Sequence, residues 1–390
     1  MRRCQLIASL GTLAIILVPA LAVSQVGAQE LAAKLTPAQR QIYEDYRRGR
    51  DAFEAKLRTY WARVDAKRDA RRAKHMLAQP LSAEDYVAEQ PPKYAGPELP
   101  AEIAKLLVEV LPPAPARPLP EVSDFLANAK AQFGFVPAPT TELDFKRRYA
   151  REALAVGLSK DQVLRIYALE TGGQGTYDMQ SGINPVTKQG RPISSALGYA
   201  QLLNGNSVSE LVKHGASFAQ RLISMAAQPG TPSARAAGLR DKATIVRRML
   251  RAARSVPNEW AAHVRFGGTP AGLGIHALNL DADVGPWLQV LKLKGLKEAA
   301  EAAGRGQLSG AEIELMNLAG PRTGLEMMTP LGRTMPTSNF FSEGGYYRNT
   351  IVREKTAAEL LSALEQRMEA NLKKPGAVEF AQVFDEVARR

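Results

Sequence analysis

The sequence predicts a mainly α protein: a helical domain with a small β-hairpin insertion, preceded by a long amphipathic helix and a Pro-rich linker. Three observations lead there. From Ser123 onward nearly every long segment repeats its apolar residues at helical spacing. Between Gln79 and Pro120 proline is dense, which favours extended backbone over packed elements. Only Gly175 to Pro192 combines the Gly, Asn, Thr and Pro of a hairpin. The chain therefore divides into residues 1–28 as a signal peptide, 29–78 as a charged amphipathic helix, 79–120 as the linker, and 121–390 as the helical domain with a C-terminal helical extension.

Taken in order, Arg2 and Arg3 form a basic start and Leu10 to Val23 an apolar run too short for a confident span. Val26-Gly27-Ala28 fits a cleavage site, with Ala20-Leu21-Ala22 as the earlier choice and an uncleaved anchor as the alternative. Thr36 to His75 reads as one helix, with Ile42, Tyr46, Phe53, Leu57, Tyr60, Trp61 and Val64 as its apolar stripe. That stripe has two uses, docking on the rest of the chain or on a helical protein partner. A short helical pattern (Ile103, Leu106, Leu107, Val110) interrupts the linker. Helices are expected at Ser123 to Phe133, Leu143 to Val156, Ser159 to Glu170, Ser195 to Leu203, Ser207 to Ala227, Ala236 to Arg254, Gly285 to Ala303, Ala311 to Leu318 and Thr356 to Leu372. Ser159 with Gln162, and Thr356 with Glu359, have capping-box spacing.

Composition narrows the function classes. The only cysteine, Cys4, leaves with a signal peptide, so no disulfide framework or cysteine metal site can form, and the mature chain suits an oxidising periplasm. His75, His214, His263 and His276 lack ligand spacing, and neither metal nor organic cofactor is expected. The formal charge of +12 (51 basic against 39 acidic residues) favours acidic partners. Basic residues are spread rather than clustered and no nucleic-acid motif, Rossmann fingerprint or phosphate loop occurs, so nucleic acid is not the expected partner. No segment after the leader is apolar enough to span a bilayer.

Glu170 is the residue with the clearest chemical potential. It shares the apolar face of Val163, Ile166 and Tyr167, at the negative end of the helix dipole, and Gly172-Gly173 ends the helix beside it. Such a carboxyl should hold its proton more tightly than a solvated one, as a general acid near neutral pH must.

Three segments follow in order: Glu170-Thr171-Gly172-Gly173, then Leu197-Gly198-Tyr199-Ala200-Gln201-Leu202, then Met316-Asn317-Leu318-Ala319-Gly320-Pro321. The ordered set resembles the lytic transglycosylases of the lysozyme-like superfamily, over roughly Phe145 to Gly324. The resemblance implies a lysozyme-like catalytic domain and a peptidoglycan substrate met in the periplasm. Glu170 would be the single acid/base. Gln201, Tyr199 and Asn317 would line the sugar site. Met316 stands where the family has tyrosine, and Tyr346 or Tyr347 is the candidate replacement hydroxyl. The gap from Glu170 to Gln201 exceeds the family's usual one, and the hairpin insertion accounts for it.

The implied reaction cleaves the β-1,4 bond between N-acetylmuramic acid and N-acetylglucosamine and leaves a 1,6-anhydromuramyl end. A hydrolysing muramidase of the same fold would need a second carboxylate, for which Asp178 is the candidate. The other alternative is a wall-binding protein without activity.

Overall fold

A computed structural model describes residues 30, 31, 33–111 and 118–389. The predicted signal peptide, its cleavage sites, Cys4 and the middle of the Pro-rich stretch lie outside the described residues.

The described residues are mainly helical. The helices are α1 (Pro37–Met76), α2 (Ala101–Val110), α3 (Val122–Phe133), α4 (Glu142–Ala155), α5 (Lys160–Thr171), α6 (Asn204–Ala226), α7 (Ser233–Ala253) and α8 (Trp260–Gly267). They continue with α9 (Pro270–His276), α10 (Val284–Ala302), α11 (Gly310–Ala319), α12 (Pro321–Met327), α13 (Pro330–Thr334), α14 (Glu343–Arg348), α15 (Ala357–Leu372) and α16 (Pro375–Ala388). No helix among the described residues is long and apolar enough to cross a membrane.

The chain divides into two compact units: residues 30–60 with 92–111, and residues 61–91 with 118–389. In the smaller unit Leu31, Leu35 and Ile103 are buried together, with Tyr43, Leu106 and Val110 packed around them. Tyr94 meets Tyr46 and Phe53 edge-on, and the Arg50 guanidinium lies 4.9 Å from its ring centre. In the larger unit the second half of α1 is pinned by Arg71. Its guanidinium is 2% exposed and donates to Glu326, to the Asp85 carbonyl and to the Asn339 carbonyl. A buried charge needs such full satisfaction, because an unpaired one costs several kcal/mol. Trp61 meets Tyr346 and Tyr347 edge-on, with ring centres 5.6 and 5.9 Å away.

The core of the larger unit places the site. α5 packs against α11, α15 and α16, α16 also against α4, and α10 runs beside α4, α6 and α11. Ser159 caps α5 as its spacing predicts, the Gln162 amide donating to the Ser159 hydroxyl (3.2 Å) and the Ser159 amide to the Gln162 side chain (2.9 Å). Thr356 and Glu359 make the same exchange at the start of α15.

Two expectations are corrected. Gly175 to Pro192 makes no strand ladder. It is an irregular loop with an isolated bridge between Ile183 and Gly190, while Gln180 bridges Leu197. Gly182 and Gly190 turn the chain at φ +92° and +121°, which breaks the extended run a ladder needs. Ser195 to Leu203 is not a helix either. Leu197 and Leu202 exchange both backbone hydrogen bonds (3.0 Å each) around a turn in which Gly198 has φ +75° and Gln201 φ +41°. Two left-handed residues within four positions exclude an α-helix.

Candidate active site

α5 carries Glu170 one residue before its end, and Gly172 closes the helix in the left-handed conformation at φ +65°. The next residue is locked more tightly. Gly173 has φ +72°, and a Cβ there would meet the Asn371 carbonyl oxygen at 2.2 Å. The Gly173 carbonyl accepts from the Ala377 amide (2.9 Å), Asn371 Nδ2 donates to the Ala168 carbonyl (2.9 Å), and the Tyr167 hydroxyl donates to the Gly175 carbonyl (2.8 Å). The end of α5 is therefore fixed from α15, α16 and its own preceding turn.

Val163, Ile166 and Tyr167 are buried on the face that Glu170 shares, as helical spacing requires. Glu170 keeps part of its surface open but is enclosed closely enough by protein for desolvation to dominate. Burial pushes its carboxyl up to about 7; Glu314, the Arg367 charge and Asn317 pull the other way.

Glu314 is the residue that motif reading missed. It is fully buried on α11, and one turn along Asn317 reaches both carboxyls. Asn317 Nδ2 lies 3.3 Å from Glu170 Oε1 and 3.4 Å from each Glu314 oxygen. Burial, together with the neighbouring Glu170 charge, holds Glu314 well above the usual carboxylate range. Two carboxyls in one desolvated site do not both ionise, so the pair retains at least one proton near neutral pH. Half-buried Lys292 on α10 is pushed down, mainly by burial, and its charge is felt by Glu314. The signal was in the sequence: Glu314 precedes Asn317 by three residues on a predicted helix, hence on the same face.

The other sequence-predicted site residues lie in different settings. Tyr199 is 1% exposed and its hydroxyl donates to Glu142. It packs edge-on against Tyr167 at 5.0 Å, in the core and not on a sugar-facing wall. Gln201 turns back on its own loop, Nε2 donating to the Gly198 carbonyl (2.7 Å) and the Met179 carbonyl (3.3 Å). Asp178 accepts from Thr176 and Lys188 within the irregular loop. Met316 is fully buried. Tyr346 offers it no replacement: it is 2% exposed and its hydroxyl accepts from the Glu354 amide (2.8 Å), while Tyr347 is half-buried against Trp61. Of the predicted set, the structure brings together Glu170 and Asn317.

Glu142 was not anticipated. It accepts from the Tyr177 amide (3.0 Å) as well as from Tyr199, so it ties the start of α4 to the loop, and burial raises its carboxyl. A Ser–His pair also occurs, with Ser207 Oγ 2.8 Å from His276 Nδ1. Both side chains are fully buried, which excludes substrate. His276 Nε2 must donate to the Ser195 carbonyl (2.6 Å), since a carbonyl only accepts. Burial takes the imidazole down to about 4, so it is a neutral pin for the loop.

No protein-family model, curated protein or solved structure matches the chain.

Proposed function

We propose that this chain is an exported peptidoglycan lytic transglycosylase of lysozyme-like fold, working in the periplasm with Glu170 as its single acid/base. One observation carries the reading: at a rigid helix end the Glu170 carboxyl, which burial raises to about 7, shares the Asn317 amide with a second, fully buried carboxyl, Glu314. A pKa near the working pH lets one group both give and take a proton.

In this reading Glu170 protonates the glycosidic oxygen between N-acetylmuramic acid and N-acetylglucosamine. As the bond breaks, Glu170 becomes a carboxylate. The Glu314 hydroxyl and the Asn317 amide then donate to a full negative charge, and charge-assisted hydrogen bonds are about twice as strong as neutral ones. Their stabilisation therefore grows as the proton leaves, which is the condition for lowering a barrier. The substrate's 2-acetamido group stabilises the oxocarbenium-like carbon. Glu170 next takes the proton of the muramyl 6-hydroxyl as that oxygen closes the 1,6-anhydro ring. Atoms balance without water.

Glu314 does not serve as a second catalytic carboxylate in this scheme. Carboxyls that act on opposite sides of a glycosidic bond stand about 5–5.5 Å or 6.5–9.5 Å apart with the sugar between them. Glu314 is fully buried and holds the same Asn317 amide as Glu170, so no sugar reaches between the two carboxyls. Glu314 is a positioning residue.

The test is digestion of purified sacculi followed by mass spectrometry of the products. Anhydromuramyl ends, lost in Glu170→Gln, are expected. Reducing ends would point instead to a hydrolytic muramidase, and the absence of any product to a wall-binding protein.

A further inference from the structure

A cavity of about 500 Å³ opens at Ala319, the last residue of the helix that carries Glu314 and Asn317. Ala319 lies two positions after Asn317, so their Cα atoms are at most about 7 Å apart. The cavity wall carries four arginines, Arg68, Arg71 and Arg72 of α1 and Arg322 of α12, against one acid, Glu326.

The acid is already engaged. Glu326 Oε1 accepts from Arg71 (2.8 Å) and from the Tyr86 hydroxyl (2.9 Å), and Oε2 lies 3.2 Å from His75 Nε2. Arg68 is likewise committed, donating to the Phe341 carbonyl (2.6 Å) and to Asp65 (2.6 Å). Arg72 and Arg322 remain. Arg322 is exposed and makes no ion pair among the described residues. Arg72 pairs with Asp69 at 3.1 Å, both side chains well exposed, and such surface pairs contribute about 0–1 kcal/mol. Exchanging Asp69 for a ligand's carboxylate is therefore cheap. Arg71, the residue before Arg72, is anchored by three hydrogen bonds, two of them fully buried, so the helix that presents Arg72 is held in place.

We propose that this cavity is a carboxylate-binding subsite, in which Arg72 and Arg322 clamp a carboxylate carried by the muramyl side of the substrate. The guanidinium fork matches a carboxylate bidentately, and the cationic surplus selects against neutral sugar. The assignment rests on the peptidoglycan reading above. Two sources have the required chemistry: the stem-peptide carboxylates and the lactyl carboxylate that is freed when the stem is removed.

The experiment measures co-sedimentation of full-length protein in the inactive Glu170→Gln background, with and without Arg72→Gln and Arg322→Gln. It uses native sacculi, sacculi with carboxylates converted to methyl amides, and peptide-free glycan. The double substitution should weaken binding to native sacculi at least tenfold and leave binding to amidated sacculi unchanged. Loss that persists on peptide-free glycan assigns the lactyl carboxylate; loss that disappears there assigns the stem peptide. Equal binding of native sacculi with and without the substitutions, or an equal loss on amidated sacculi, overturns the subsite while leaving the peptidoglycan reading intact. Failure of the parent protein to bind or cleave any sacculi overturns both.

Discussion

The paired helices α5 and α11 and the loop between α5 and α6 use their polar residues in opposite ways. On the helices, Glu170, Glu314 and Asn317 converge from two rigid surfaces, and their polar atoms are satisfied mainly by one another. In the loop, Asp178 and Gln201 bond within the loop itself, and Tyr199 closes on Glu142 at the base. The first arrangement leaves a carboxyl under tension between burial and its partners. The second spends its polar groups on holding an irregular backbone. Only the helical pair leaves a buried group with a proton to move.

The largest expected effect separates the two regions outright. Glu170→Gln should cost about 10²- to 10⁴-fold in turnover, the range of a lost general acid, with its melting temperature retained. Release of anhydromuropeptides, measured beside thermal melting, decides it. Near-normal turnover would remove the catalytic assignment.

The next effect probes the partners of Glu170. Asn317→Ala and Glu314→Leu each remove a donor to the Glu170 carboxylate, a loss of about 1.5–3 kcal/mol or roughly ten- to a hundredfold in rate. Without that donor burial pushes Glu170 further up, so the alkaline limb of the pH–rate profile should move to higher pH. Glu314→Gln keeps a donor and should restore both rate and limb. A profile that stays fixed in all three variants would show that Glu314 and Asn317 only pack.

Stability against pH gives an independent reading. Because Glu170 is raised from the ordinary value to about 7, the folded chain holds more protons than the unfolded chain between about 4.5 and 7. Its contribution is fully present below 4.5 and is lost as pH rises through 7. Glu170→Gln should flatten that part of the curve in denaturant titrations across the window; an unchanged slope would mean that Glu170 is solvated.

Gly173→Ala tests the junction of the two regions. A methyl at φ +72° facing the Asn371 carbonyl should cost about 1–3 kcal/mol and loosen the end of α5, which a lower melting temperature would report. The smallest effects belong to the loop. Gln201→Ala should cost about 1 kcal/mol of stability with normal turnover per folded molecule, and Asp178→Asn less still. A deep catalytic loss in either would bring the loop into the reaction and erase the contrast.

The sequence alone determined most of the long helices and several of their ends. Apolar spacing of three and four, the Ser159 and Thr356 boxes and the Gly172-Gly173 stop are local signals, and the backbone obeys them because each is satisfied within a few residues. It also determined that Glu170 lies on a buried face. Which side chains meet there was decided only by tertiary packing. Glu314 and Asn317 come from 144 and 147 positions downstream of Glu170, and nothing local ties α11 to α5. The loop was misread for the same reason. Ser195 to Leu203 has helical spacing, but Gly198 and Gln201 take left-handed backbone to close the Leu197–Leu202 pair, with Gly198 held against Gln289 of α10. A long-range contact of that kind outweighs a propensity worth a fraction of a kcal/mol per residue.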